Sequence, residues 1–169
     1  IRPIALLAAL QAATGKYHDG LPAAWTFEIF HNFTLVHDDI MDKSPKRRGK
    51  PTVHKKYNVP SAILAGDNML LGAYQHLACY DDTKFRALTN LLTKTGIYIC
   101  EGQFLDMQFE DTTAVNETNY LKMIELKTAV LLGASLKAGA IIGEASKEDA
   151  DNLYNLGINL GIGFQIMDD

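Results

Sequence analysis

Cysteine, proline and tryptophan are all scarce in this 169-residue chain, which has two, five and one of them. The cysteines, Cys79 and Cys100, stand in no metal-ligand spacing, which excludes a disulfide scaffold. They are read as reduced core residues of a chain in a reducing compartment. All five prolines fall at or before position 60, so from Ser61 to Asp169 nothing of the strongest helix-breaking type occurs. Long hydrophobic runs are missing as well. The longest stretch free of Lys, Arg, Asp and Glu is Asn152–Met167, sixteen residues that include three Asn and a Gln. A membrane-spanning helix needs about 20 apolar residues, so no membrane span is expected. Positive charge is not in excess either: 16 Lys and Arg against 20 Asp and Glu give −4, which argues against a nucleic-acid partner. Ile1-Arg2-Pro3 lacks a Met and a basic region before the apolar run, so it does not resemble a signal peptide and is read as a cut end. The two Asn-x-Thr triplets at Asn32 and Asn116 are read as chance. A cytoplasmic location is expected.

What is present is ordinary for a soluble globular chain: 47% hydrophobic and 21% charged residues. A chain of this length buries roughly two-thirds of its unfolded surface, enough for one domain over 1–169. Apolar residues recur at three and four: Leu64, Leu71, Tyr74, Leu77; then Leu88, Leu91, Leu92, Ile99; then Leu121, Ile124, Leu131, Leu132, Leu136. No run alternates at period two for long enough to suggest a sheet. The pattern predicts helices at about 3–15, 22–42, 61–79, 82–109, 117–143 and 147–169. Pro22 suits a first helical residue, and Asn116 with Asn119 suits a helix start. The fold class expected is all-α, a bundle of long antiparallel helices. Between the helices, Lys43–Lys56 carries seven of the sixteen Lys and Arg, and Glu110–Val115 is a short polar link. The basic loop lacks interleaved aromatics, which disfavours nucleic acid a second time.

The helix from Pro22 to Asp42 carries the chemistry. His31, Leu35, Asp38 and Asp42 are spaced four, three and four apart and share one face. Asp39 lies about 100° round from Asp38. The rest of the helix is heavily apolar, with Trp25, Phe27, Ile29, Phe30, Phe33, Val36, Ile40 and Met41. Acids on such a helix are costly, and more so at a C-terminus, where the helix dipole opposes them. Something cationic must sit there. Oxygen-only ligands suit Mg²⁺, which takes one or two carboxylates together with phosphate oxygens and water. Arg47 and Arg48 follow at once, and guanidinium forks match phosphate oxygens bidentately. The arrangement describes a diphosphate site. The alternative is a solvated helix end whose acids pair with Lys43 and Arg47. Lys127 beside Thr128 is a lone polar pair in a helix otherwise made of Ala, Val, Leu and Gly; it faces a cavity or is a lysine snorkelling to the surface. Gly157 and Gly161 form a GxxxG read as helix packing, since no strand precedes it.

The run His31-x6-Asp38-Asp39-Ile40-Met41-Asp42-x4-Arg47-Arg48-Gly49-x-Pro51-Thr52-Val53-His54 closely resembles the first aspartate-rich region of the trans-isoprenyl diphosphate synthases, the farnesyl and geranylgeranyl diphosphate synthases and their relatives. Gly66-Asp67, Gly102-Gln103-x2-Asp106, Lys127-Thr128 and Gly163-Phe164-Gln165-Ile166-Met167-Asp168-Asp169 resemble further segments of that family in order, and Arg2-Pro3 resembles the end of another. The resemblance covers essentially the whole chain. It implies helices around a central cavity, usually in a homodimer, with isopentenyl diphosphate and an allylic diphosphate as substrates and Mg²⁺ as cofactor. By position, Asp38, Asp42 and Asp168 are the implied metal ligands. Arg47 matches the arginine on the allylic diphosphate; Arg48, His31 and Arg2 match contacts to isopentenyl diphosphate. Lys127, Thr128 and Gln165 match residues near the breaking carbon–oxygen bond, and Asp106 with Gln103 would support the site or form a solvated face. Phe33, five residues before Asp38, with Thr34 beside it, is expected to set product length at farnesyl or geranylgeranyl, unless it is simply core.

The family's Gly-Gly-Lys is missing before Arg2, and its second acidic motif is cut at Asp169. The bundle is therefore expected to be incomplete at both ends, and the 169 residues alone to be inactive. Two other readings remain at this point. A class I terpene cyclase shares the first acidic motif, but Arg47-Arg48-Gly49 and Lys127-Thr128 favour chain elongation. A non-catalytic regulatory subunit would usually lose acids that are all present here.

Overall fold

In a computed structural model, residues 1–110 and 115–168 are described. The expected Glu110–Val115 link and Asp169 therefore lie partly or wholly outside the described residues. The chain is helical nearly throughout: α1 (Arg2–Thr14), α2 (Leu21–Met41), α3 (Val53–Lys56), α4 (Val59–Gln75), α5 (Asp82–Glu110), α6 (Glu117–Ile124), α7 (Val130–Ile142) and α8 (Lys147–Asp168). A π-helical turn, Glu125–Ala129, joins α6 to α7, so the single expected helix at 117–143 is continuous but locally widened.

The starts follow capping chemistry. The Asn116 side chain accepts from the Asn119 amide at 2.8 Å, and Asn58 does the same for Ser61 at the head of α4. Pro22 is the second residue of α2, where a missing amide hydrogen costs nothing. One feature departs from the all-helical expectation: a hairpin of two residues per strand, β1 (Lys46–Arg47) and β2 (Lys50–Pro51), pairs antiparallel within the basic loop. It was not legible because strands this short show no alternation.

The core lies where α1, α2, α5 and α7 meet, with Leu6, Leu10, Phe27, Phe30, Leu88, Leu92, Val130 and Leu131 all buried. Helix α7 packs against α1 and α8, and α2 against α4. The α7–α8 approach is close enough that a Cβ on Gly157 would fall 2.5 Å from the Gly133 Cα, so the GxxxG is packing, as expected. Two expectations are corrected. Cys79 and Cys100 are free but exposed rather than core. Leu64 and Leu71 point outward, because α4 meets α2 through the small residues Ala62, Gly66 and Ala73. Trp25 and Met41 of α2 are likewise exposed. Among the described residues no helix is long and apolar enough to cross a membrane.

Candidate active site

The acidic end of α2 is held by the hairpin beyond it. Arg48 and Gly49 form the two-residue turn, both at positive φ (52° and 78°), as tight hairpins require. Gly49 adopts this freely, whereas Arg48 does so at a cost of order 1 kcal/mol, the kind of strain retained where a side chain must be aimed. The buried Thr52 hydroxyl donates to the Ser44 carbonyl at 2.8 Å and closes the loop. Arg47 is thereby laid over the acids. Its Nε donates to Asp39 Oδ1 at 2.7 Å and its Nη2 to Asp38 Oδ2 at 3.0 Å. Arg47 was expected on a diphosphate; in this state it compensates the two acids.

The π turn brings in a second cation. Lys127 Nζ lies 2.6 Å from Asp106 Oδ2 on α5 and 3.4 Å from Asp38 Oδ1. Burial opposes the lysine's charge, but the Asp106 hydrogen bond with the charges of Asp38, Asp106 and Asp42 raises its pKa overall. The backbones approach closely here: a Cβ on Gly102 of α5 would stand 2.4 Å from the Lys127 amide nitrogen. One residue on, the Thr128 hydroxyl donates to Gln165 Oε1 at 3.2 Å, tying α8 to the same turn. Lys127 is therefore a cavity residue and does not snorkel to the surface. Asp106, weighed as a supporting residue or a solvated face, is its direct partner.

Arg2, His31 and Arg48 form a basic corner, close enough for their charges to act on one another. Arg2 Nε is buried without a hydrogen-bond partner, which is costly unless an acceptor arrives. Burial first, and then the charges of Arg2, Arg48 and Arg47, push the His31 pKa down to about 3. At neutral pH the imidazole is uncharged and the corner carries guanidinium charge alone. Asp42 shows the opposite imbalance. Partial burial, followed by the nearby Asp38, raises its pKa, with Asp106 and Glu110 adding to the effect against Lys127.

Several of these groups line a cavity of about 370 Å³. Arg2, His31, Asp38, Lys127 and Thr128 supply polar groups to its wall, while Phe33, Ile99, Met107 and Leu131 are among its apolar lining. Thr34 and the buried Gln103 also line it, as does exposed Cys100. Asp42 is exposed beyond the wall, and Asp168 is exposed on the last turn of α8, three residues after Gln165. Among the described residues, no three His, Cys, Asp or Glu side chains stand close enough to enclose a metal ion. The donor set nevertheless fits Mg²⁺, which needs only one or two protein carboxylates when phosphate oxygens and water complete its shell. Asp38 and Asp42, four residues apart at the end of α2, could supply such a pair.

The whole of residues 1–169 matches the polyprenyl synthetase family model, and the chain belongs to that family. It is 46% identical to the geranylgeranyl diphosphate synthase of Methanosarcina mazei, over all of this chain and 53% of that protein. It is 43% identical to the geranylgeranyl diphosphate synthase of Sulfolobus acidocaldarius, over all of this chain and 52% of that protein. A crystal structure of a geranylgeranyl pyrophosphate synthase superposes with a TM-score of 0.97 at 46% identity, covering 99% of this chain and 51% of that one. The chain thus spans about half the length of the curated relatives it matches.

Proposed function

We propose that the protein is a Mg²⁺-dependent prenyltransferase that joins isopentenyl diphosphate to an allylic diphosphate and yields a farnesyl or geranylgeranyl diphosphate. The observation that carries this reading is one cavity whose wall combines Asp38, Lys127 and Arg2 with aromatic and aliphatic side chains. Its relatives' names supply the reaction class.

The chemistry follows from the residues. The allylic carbon–oxygen bond breaks with its electron pair leaving on the diphosphate, so negative charge develops on the phosphate oxygens. Arg47 and Lys127 face that charge as fixed cations; Asp38 with Asp42 would hold one Mg²⁺ and Asp168 of α8 would be a ligand to another, and the metal would supply further electrostatic stabilisation of the leaving group. Arg2, Arg48 and neutral His31 would bind the second diphosphate and hold its double bond toward the allylic carbon. The new carbon–carbon bond forms, and loss of one proton restores a double bond. Thr128 and Gln165, joined between the π turn and α8, would position the allylic head. Phe33, Ile99, Met107 and Leu131 keep water from the cation. Phe33 lies about 7.5 Å down the axis of α2 from Asp38, where its ring would stop the growing chain, while Thr34 beside it is too small to do so.

The reading includes one domain over 1–169, a cytoplasmic location where Cys79 and Cys100 stay reduced, and a homodimer, for which the outward Leu64 and Leu71 of α4 offer apolar surface. The test is to incubate the full-length protein with isopentenyl diphosphate and a set of allylic diphosphates, with and without Mg²⁺. Metal-dependent formation of 15- or 20-carbon products supports the reading. Cyclic hydrocarbons, or no turnover of any pair, would overturn it.

A further inference from the structure

We propose that His37 is a positioning residue that sets the length of prenyl chain the cavity accepts, by clamping the Phe33 ring from the side nearer the acids. This inference rests on Phe33 acting as the cavity floor. Three rings follow one another along α2. Phe33 meets Phe30 edge-on at 5.3 Å between centroids, and His37 edge-on at 5.0 Å. Phe30 is packed into the core: its side chain is buried, and α5 closes behind it at Gly96, where a Cβ would stand 3.1 Å from the ring. The Phe33 ring is therefore held from one side by the core. What holds it from the other side is His37, which also lines the cavity.

His37 is itself anchored, and by a different helix. Its Nε2 lies 3.2 Å from the Ile63 carbonyl of α4, an acceptor only, so Nε2–H donates. Asp67 Oδ1 stands 3.7 Å from the same nitrogen. The niche exists because residue 66 is glycine. A Cβ there would fall 2.2 Å from Nε2, a distance no packing tolerates. Gly66, the Ile63 carbonyl and Asp67 thus fix the imidazole from α4, and the imidazole fixes Phe33. Aromatic edge-to-face pairs contribute about 0.5–1.5 kcal/mol each, enough to hold a ring in one rotamer against its alternatives. Without His37, Phe33 keeps one neighbouring ring instead of two and can swing aside under a lengthening chain.

The experiment measures product-length ratios of the full-length enzyme for wild type, His37→Ala, Phe33→Ala and the double variant, with isopentenyl diphosphate and one allylic primer. A ratio of products is independent of how much enzyme is folded, and His37→Gln, which keeps a donor for Ile63 but has no ring, provides a milder change. The expected result is a several-fold rise in longer products for Phe33→Ala. His37→Ala and His37→Gln should give a smaller rise in the same direction, and His37→Ala no further effect once Phe33 is gone. If Phe33→Ala lengthens products and the His37 variants do not, the clamp is wrong and the floor stands. Additive shifts would show His37 acting independently of Phe33 and would also overturn the clamp. If Phe33→Ala changes nothing, the floor reading itself fails.

Discussion

The Arg47 guanidinium donates to the Asp39 carboxylate at 2.7 Å, and Asp39 is the one buried acid or base among the described residues. The pair explains how three acids are tolerated at a helix C-terminus, where the dipole disfavours them. Arg47→Ala would strand a desolvated carboxylate. The expected loss is about 1–3 kcal/mol, less than for a fully buried pair because Arg47 is itself about a third exposed. Adding Asp39→Asn to that variant should restore most of the stability. Urea midpoints of wild type, single and double variants check this; equal losses in the single and double variants would mean the pair is decorative.

His31 makes the fold sensitive to acid. Its folded pKa, near 3, lies below the unfolded value of about 6.5. The folded state therefore binds fewer protons in that window, and the stability due to neutral His31 is lost as pH falls from about 6.5 toward 3. His31→Gln should flatten that part of the stability curve relative to wild type. Denaturant midpoints at pH 7 and pH 5 measure it. An unchanged slope would mean that the imidazole is not held neutral by its surroundings.

Arg48 stands at a strained turn position beside Arg2 and His31, so a fork rather than a bare charge is expected to matter there. Arg48→Lys should weaken isopentenyl diphosphate binding more than allylic diphosphate binding, because the ammonium cannot bind two phosphate oxygens in one plane. Separate titrations of the full-length protein with each substrate decide it. Equal affinities in wild type and variant would reduce Arg48 to a surface charge.

The parts of the site legible in the sequence are those written in residue type and short spacing. Asp38 and Asp42 share a face because four residues make about one turn. Lys127 and Thr128 stood out as polar residues in an apolar helix, and they face the cavity. The π turn that carries them was hidden, because it depends on how closely α5 approaches at Gly102, a fact of packing and not of local sequence. Leu64 and Leu71 misled for a related reason: hydrophobicity marks leucine as core, whereas the α2–α4 contact needs small residues. Asp106 could have been found by asking which acid answers a half-buried lysine, but the spacing of 21 residues in the chain leaves the pairing to the fold.

Gly102 yields a structural prediction of its own. Gly102→Ala would force α5 away from the π turn and draw Lys127 off Asp106 and Asp38. Both stability and the rate of the first condensation should fall, with Lys127→Ala adding little to the rate loss in the same chain. Fully additive rate losses would separate the glycine from the lysine.

If α2 ends in a site for a metal diphosphate, removing the Asp42 carboxylate must weaken that site. Asp42 is largely exposed, and partial burial with the nearby Asp38 raises its pKa, so folding gains nothing from its charge. Asp42→Asn should therefore leave the ligand-free full-length protein as stable as wild type or slightly more so. Thermal unfolding of both proteins, alone and with Mg²⁺ plus inorganic diphosphate, is the measurement. The ligands should raise the melting temperature of wild type, and most of this rise should be lost in Asp42→Asn. An equal rise in both proteins would contradict such a site.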